Sequence, residues 1–233
     1  MKEKLKKIFE KYKILLNENQ LLQFEKYYQF LVEENKKYNL TSITDEEDVV
    51  FKHFLDSVLP EKYITSNASC IDVGTGAGFP AIPLKIVRPD LFVCMVDSLQ
   101  KRVNFLNQTI NMLGLKNIEA HHARAEDFAV KNREKFDFAL SRAVAQVPTL
   151  SEYLLPFVKI GGKVIMYKSQ KVEEELCSGE KAIKVLGGKV EDVIKMRIDE
   201  IDAERNFIII KKMQNTPQKY PRGKNLPKTK PIL

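Results

Sequence analysis

Apolar positions in the first 40 residues recur every three or four residues: Leu5, Ile8, Phe9 and Tyr12, then Leu21, Phe24, Tyr28 and Leu31. That spacing lines one face of a helix. It predicts helices over 4–16 and 20–38, broken at Asn17-Glu18-Asn19. Thr44-Asp45-Glu46-Glu47 reads as a capping box, with Thr44 at the cap and Glu47 three residues on. The helix it starts carries Val49, Val50, Phe54 and Leu55 inward and runs to about Ser57.

From residue 69 the period changes. Strands are predicted at 69–73, 92–97, 117–122, 136–141, 162–167, 189–196 and 205–212. Helices at 80–88, 99–113, 125–132, 148–157 and 171–186 alternate with them. Gly161-Gly162 and Gly187-Gly188 punctuate the passages from helix to strand. Alternation of this kind implies a mostly parallel sheet with helices on both faces. Only an acidic turn (Asp199, Glu200, Asp202, Glu204) separates the last two strands, so they pair as an antiparallel hairpin. The expected organisation is a helical extension over 1–60, an α/β domain of seven strands over 61–214, and a tail over 215–233.

The tail differs in character. Pro217, Pro221, Pro227 and Pro231 interrupt regular structure, and the stretch from Lys211 to Lys230 holds seven Lys or Arg and no acid. Such a segment is extended or disordered alone. It is either a solubilising tail or an arm that lies on phosphates; the second reading is preferred.

Composition narrows the class. A chain of 233 residues, 44% hydrophobic, is ample for a core. No apolar run approaches the roughly 18 residues that span a bilayer. The Lys-rich start lacks a signal peptide's apolar run, so a cytoplasmic protein that binds no membrane is expected. Cys70, Cys94 and Cys177 are far apart and read as small buried hydrophobes of a reducing compartment. His53, His121 and His122 form no ligand pattern with them, and no metal is expected. The net charge of +7 suits an acidic partner such as nucleic acid, or simply a solvated basic surface.

The chemistry centres on residues 70–83. A buried strand, Cys70-Ile71-Asp72-Val73, turns through Gly74, Gly76 and Gly78 into a helix near Pro80. Strand, glycine turn and helix make a nucleotide site in α/β proteins. The dinucleotide pattern is G-x-G-x-x-G; here the third glycine comes one residue early. Asp72, two residues before the first glycine, would repel a pyrophosphate and suits an ammonium group. Asp97, about 20 residues past the glycines, ends the next strand, where an acid holds ribose hydroxyls. A ligand with one ribose, an amino-acid end and no phosphate fits all three points: S-adenosylmethionine. The plainer alternatives are that Asp72 caps a turn and Asp97 caps the helix after Ser98. Past the third strand, Arg124-Ala125-Glu126-Asp127 is placed to touch the adenine, and its acids also suit a helix start.

The fourth strand ends in Ser141-Arg142-Ala143. It carries neither the Asp/Asn-Pro-Pro-aromatic segment of amino-group methylation nor the nucleophilic Cys of cytosine C5 methylation. An acceptor that is already nucleophilic, such as guanine N7, needs no base, only in-line placement against the sulfonium methyl. No residue is therefore assigned as general acid or base.

The chain resembles the RsmG (GidB) family of methyltransferases over nearly its full length. The resemblance rests on Asn39-Leu40-Thr41, His53-Phe54-Leu55-Asp56-Ser57, Asp72 through Pro80, Ile82-Pro83-Leu84, Arg124-Ala125-Glu126, Ser141-Arg142-Ala143, Tyr167-Lys168 and Tyr220-Pro221-Arg222. It implies a Rossmann-like class I methyltransferase fold and methylation of guanine N7 in the decoding region of bacterial 16S rRNA. It implies a monomer that acts on 16S rRNA or the small subunit. Carried onto this chain, it gives Gly74, Phe79, Ala125, Glu126 and Arg142 as cofactor residues, beside Asp72, Gly76, Gly78 and Asp97 read from the turn. The family often has Glu-Ser where this chain has Asp97-Ser98. The resemblance also implies an RNA-facing cleft of Asn39, His53, Asp56, Ser57, Arg124, Lys168 and Arg222; a lone His such as His53 also suits simple packing. The rival functions are a methyltransferase for a small molecule or protein, a nicotinamide-dinucleotide dehydrogenase, and a catalytically silent RNA-binding factor.

Overall fold

The computed structural model describes residues 1–168 and 172–233. Helix α1 spans Lys2–Lys11 and stops short of the expected 16, because Lys13 takes a left-handed conformation (φ 63°). Ile14 and Leu16 remain buried in the extended link that follows. Helix α2 (Glu18–Tyr38) starts at Asn17, whose side chain accepts from the Gln20 amide while Gln20 bonds back to the Asn17 amide. The expected break is thus a capping box. The inward tyrosine of α2 is Tyr27, fully buried, rather than Tyr28.

The third predicted helix is three segments. Helix α3 (Glu46–Val49) is capped by Asp45, not Thr44: the Asp45 carboxylate accepts from the Glu47 and Asp48 amides. A π-helical stretch, Val50–Leu55, follows, and α4 (Asp56–Val58) ends the run. A π-turn adds a residue to the helical circuit and shifts the phase of what comes after; such turns are frequent at functional sites.

The α/β unit follows the predicted alternation: β1 (Ser69–Val73), α5 (Ala81–Val87), β2 (Phe92–Asp97), α6 (Gln100–Leu113), β3 (Ile118–His122), α7 (Ala125–Lys131), β4 (Phe136–Arg142) and α8 (Val147–Leu154). Then come β5 (Val158–Lys168), α9 (Val172–Val185), β6 (Gly188–Ile198) and β7 (Ala203–Lys212). The expected start of α9 at 171 lies outside the described residues. The seven strands have the order β3-β2-β1-β4-β5-β7-β6. Only β7 is antiparallel, pairing with β5 and β6 as the hairpin reading required. Gly161-Gly162 lies inside β5 rather than before it, next to a register shift against Phe136 and Phe138 of β4. Among the described residues, no helix is long and apolar enough to cross a membrane.

Period-two alternation gives the sheet two buried faces. Cys70, Met95 and Leu140 point to one, against α1, α2, the π-turn segment, α5 and α6. Ile71, Cys94, Val96 and Ala139 point to the other, against α7, α8 and α9. The N-terminal helices therefore share one core with the sheet. Phe9, Phe24, Tyr27 and Phe54 are fully buried there, each worth about 1.5–3 kcal/mol.

The tail corrects the expectation of an extended arm. It folds back on the domain and ends in a turn of helix, α10 (Leu226–Thr229). Lys212 is buried, with its ammonium donating to the Leu155 carbonyl and the Thr216 hydroxyl. The Arg133 guanidinium donates to the carbonyls of Thr216 and Tyr220. Arg222 grips Glu152, a fully buried carboxylate of α8, through both backbone and side chain.

Candidate active site

Two neighbouring cavities open at the carboxyl ends of the strands, where open α/β sheets place their ligands. The glycine turn borders the first. Gly74, Gly76 and Gly78 all have positive φ (73°, 61° and 96°), which a side chain resists. A Cβ on Gly78 would also lie 2.5 Å from Ile82 and 3.0 Å from the Tyr27 hydroxyl, whereas Gly76 faces open space. Two bonds hold the turn in place. The Tyr27 hydroxyl donates to the Ala77 carbonyl at 2.5 Å. The Gly76 amide donates to Asp97 Oδ2 at 2.9 Å.

Asp97 thus acts at two levels. Its other oxygen accepts from the Leu99 amide (3.0 Å), the capping role, and Arg102 lies 3.3 Å from Oδ2. A carboxylate accepts about four hydrogen bonds, so capacity remains toward the cavity it lines.

Asp72 behaves differently from its sequence reading. It is 0 % exposed and lies beneath the turn rather than in the cleft. Its Oδ2 accepts weakly from the Ala81 amide at 3.4 Å, and Oδ1 has no hydrogen-bond partner of normal geometry among the described residues. Burial pushes its carboxyl up to about 7, with the Thr75 hydroxyl and the Ala81 amide pulling the other way.

The first cavity, about 240 Å³, is lined by Gly74, Asp97, Ala125 and Glu126, together with Ser98 and Arg124. Glu126 is buried, 3.4 Å from the Arg124 guanidinium. Tyr153 of α8 and, from the tail, Asn225 and Lys228 complete the lining.

The second cavity, about 460 Å³, is lined by His53, Asp56, Arg142, Tyr167, Lys168 and Arg205 among others. Residues 142–145 run between the two: Arg142 and Ala143 face the second, Val144 and Ala145 the first. Arg142 is held on three sides. It donates to the Lys52 carbonyl (2.9 Å), to Asp56 Oδ2 (2.7 Å) and to His53 Nδ1 (3.0 Å). Its guanidinium also lies 5.0 Å from the centroid of the Phe79 ring, on which His53 stacks at 4.4 Å. Asp56 takes a second cation, Arg205, at 2.8 Å. Lys168 donates to Glu175 (2.5 Å) and to the Ala145 carbonyl (2.7 Å). Lys52, Arg142, Lys168 and Arg205 thus set four cations against the carboxylates of Asp56 and Glu175.

Burial, reinforced by the Arg142 charge, lowers His53 to about 3, so its ring is neutral at physiological pH. With Nδ1 accepting from Arg142, Nε2 carries the proton and donates to the Thr41 hydroxyl at 2.8 Å.

The expected sites are partly regrouped. Gly74, Asp97, Ala125 and Glu126 meet in the first cavity. Arg142, expected at the cofactor, lies in the second with His53, Asp56 and Lys168, while Arg124, expected to face RNA, lies in the first. Ser57 is fully buried, its hydroxyl donating to the His53 carbonyl, and it lines neither cavity. Asn39 is exposed and ends α2 in a left-handed conformation, away from both cavities. Arg222, expected to face RNA, is bound instead to Glu152. Sequence reasoning missed Tyr27, Tyr153, Arg205, Asn225 and Lys228, which reach the site only through the folding of distant segments.

The reading of the histidines is also corrected at one point. Parallel pairing sets Cys94 opposite Glu119, two residues from His121, and their ligand atoms lie within 4.8 Å of one another. Burial pushes the Cys94 thiol up to about 12. The thiol is therefore neutral, and a metal that bound here would have to displace its proton.

Comparison with known proteins finds relatives over most of the chain. The family model of GidB, described as rRNA small subunit methyltransferase G, matches residues 20–208. A ribosomal RNA small subunit methyltransferase G of Lachnoclostridium phytofermentans is 52% identical over 222 residues, 94% of this chain and 92% of the relative. Its counterpart in Desulforamulus reducens is 50% identical over 221 residues, 93% and 92% of the two chains. Among solved structures, an Aquifex aeolicus SAM-dependent methyltransferase matches with a TM-score of 0.55 at 19% identity, covering 74% of this chain and 96% of its own. That likeness bears on the fold alone.

Proposed function

Because the chain belongs to the GidB family of small-subunit rRNA methyltransferases, we propose that it methylates N7 of a guanine in the decoding region of 16S rRNA, with S-adenosylmethionine as donor. The donor supplies an electrophilic methyl group on a sulfonium. The chain's residues fit its shape: Gly76 leaves open space above the turn, and Asp97 keeps acceptor capacity toward the cavity. Gly74, Asp97, Ala125 and Glu126 hold the cofactor in the first cavity, while Asp72, Gly76, Gly78 and Phe79 shape the turn around it.

One observation carries the N7 reading. Among the described residues lining the second cavity, each acid and the imidazole is already engaged. Asp56 is bound by two arginines, Glu175 by Lys168, and the free lone pair of His53 accepts from Arg142. No group there stands ready to take a proton. An acceptor with its own in-plane lone pair, such as guanine N7, needs none. Positioning then supplies the acceleration, through lost freedom of the reacting pair. Arg142 and Lys168 offer donors to the guanine edge or its phosphates, and Phe79 with His53 braces Arg142. RNA bases are read where they are unstacked, so the target guanine lies in a loop or distorted segment. We place the enzyme in the cytoplasm as a monomer acting on 16S rRNA or the small subunit.

The test uses labelled cofactor and under-methylated small subunits, with the modified position read by N7-selective strand cleavage. Label at a guanine N7 of the decoding region is expected. Cofactor binding without label there defeats the assignment.

A further inference from the structure

From sequence the tail is either a solubilising segment or, by preference, an arm on phosphates, yet Asn225 and Lys228 line the first cavity beside Asp97 and Glu126. Three fastenings fix this segment to the domain. Arg222 Nε and NH2 bind the Glu152 carboxylate at 2.9 and 2.7 Å, and its amide adds a bond at 2.7 Å. The Thr149 hydroxyl donates to the Pro227 carbonyl at 2.9 Å. Arg133 holds the carbonyls at 216 and 220. Glu152 has no exposed surface, so parting it from Arg222 would leave a buried carboxylate without its cation. The clasp therefore does not open freely. Its position in α8 matters too, since the next residue, Tyr153, also lines the cavity.

The backbone adds a second observation. Lys224 and Asn225 are consecutive left-handed residues (φ 58° and 59°). Asn takes that conformation readily and Lys less so, so the pair fixes the turn ahead of α10. The pair leads directly into α10, and Asn225 and Lys228 both line the cavity. The Asn225 carbonyl accepts from the amides of Lys228 and Thr229, which fixes the two lining residues relative to each other.

We propose that residues 224–229 form a wall of the cofactor cleft, with Asn225 and Lys228 as binding residues for the adenosyl part of the cofactor. The ammonium of Lys228 brings three donors, and the Asn225 amide brings two donors and an acceptor. The adenosyl group offers ring nitrogens and ribose hydroxyls to meet them. The assignment rests on the cofactor reading above, and it makes the tail part of the methyl-donor site.

Calorimetric titration of the full chain with S-adenosylmethionine and with S-adenosylhomocysteine, in the absence of RNA, tests it. Lys228→Ala and Asn225→Gly (which keeps the left-handed backbone) are compared with a chain ending at Gly223, which retains the Arg222–Glu152 clasp. Lys228→Ala and Asn225→Gly are each expected to weaken both ligands about fivefold to tenfold, equally for the two because the adenosyl group is common to them. The shortened chain should lose more. Lys228 is exposed, so its variant keeps the fold and decides the matter even where the shortened chain does not fold. Wild-type binding with Lys228→Ala and Asn225→Gly both within twofold overturns the wall. So does a loss confined to one of the two ligands. If the wild-type chain binds neither ligand, the cofactor reading itself has failed and the wall falls with it.

Discussion

Arg142 is the residue on which the second cavity depends. Its five donors meet a carbonyl, a carboxylate and a ring nitrogen at fixed angles. A lysine keeps the charge and loses that fork. Arg142→Lys is therefore expected to lower the single-turnover rate about 10²-fold, the effect of a small misplacement of reacting groups. Cofactor affinity should stay within about threefold, because Arg142 faces the second cavity. A parallel loss of cofactor affinity would move Arg142 back to the donor site. Asp72 gives a prediction for stability. Its carboxyl is raised by burial to about 7 from an ordinary 3.8. Between those values the folded chain holds a proton that the unfolded chain has released, so its stabilising contribution is lost as pH rises toward 7 and stays lost above it. Asp72→Asn removes that dependence. The variant should gain on the wild type by on the order of 1 kcal/mol per pH unit across that window and keep the gain at pH 8, as read by urea unfolding at several pH values. A constant offset would show that Asp72 titrates normally.

At the scale of elements, α2 supports the glycine turn from below. Tyr27→Phe removes the hydroxyl that donates to the buried Ala77 carbonyl while keeping the ring between Phe54 and Phe79. An unsatisfied buried carbonyl costs about 1–3 kcal/mol. The expected outcome is a lowered melting temperature together with weaker cofactor binding; a normal melting temperature would mean that the turn holds itself. Periodicity made α2 legible, and it missed Tyr27 by one position because Tyr27 and Tyr28 both stand three or four residues from Phe24 and Leu31. The strands were legible for the same reason, since alternation and short apolar runs are local properties. The glycine turn and Asp97 were legible because their spacing follows from one strand–turn–strand unit. The π-turn at Val50–Leu55 was not: the composition of that stretch is that of an ordinary helix, and only its packing sets the phase of His53 and Asp56. Arg205 was not either, because it joins Asp56 through a pairing of β7 with β5 that no local pattern specifies.

For the whole molecule, charge and fold divide the tail into two sides. Proline spacing and a lack of acids suggested an unstructured arm, but a buried carboxylate on α8 outweighs composition and binds Arg222. Besides Lys228, what remains outward is Lys219, Lys224 and Lys230, all exposed, on a chain of net charge +7. Each phosphate contact displaces counterions, and log affinity falls with log salt by about 0.7–0.9 per contact. Lys219→Ala combined with Lys230→Ala is therefore expected to flatten the salt dependence of rRNA binding by about 1.5, with S-adenosylmethionine affinity unchanged, since both lie outside the wall. Lys228→Ala is expected to do the reverse, weakening the cofactor while leaving most of the slope in place. The contrast separates two roles that a tail deletion would merge, since deletion removes the outer cations and the cavity wall together. Filter binding at several salt concentrations, set beside calorimetry on the same variants, decides between them. An unchanged slope in the outer pair would leave the phosphate contacts to the cations of the second cavity, where Lys52, Arg142, Lys168 and Arg205 already exceed their carboxylate partners.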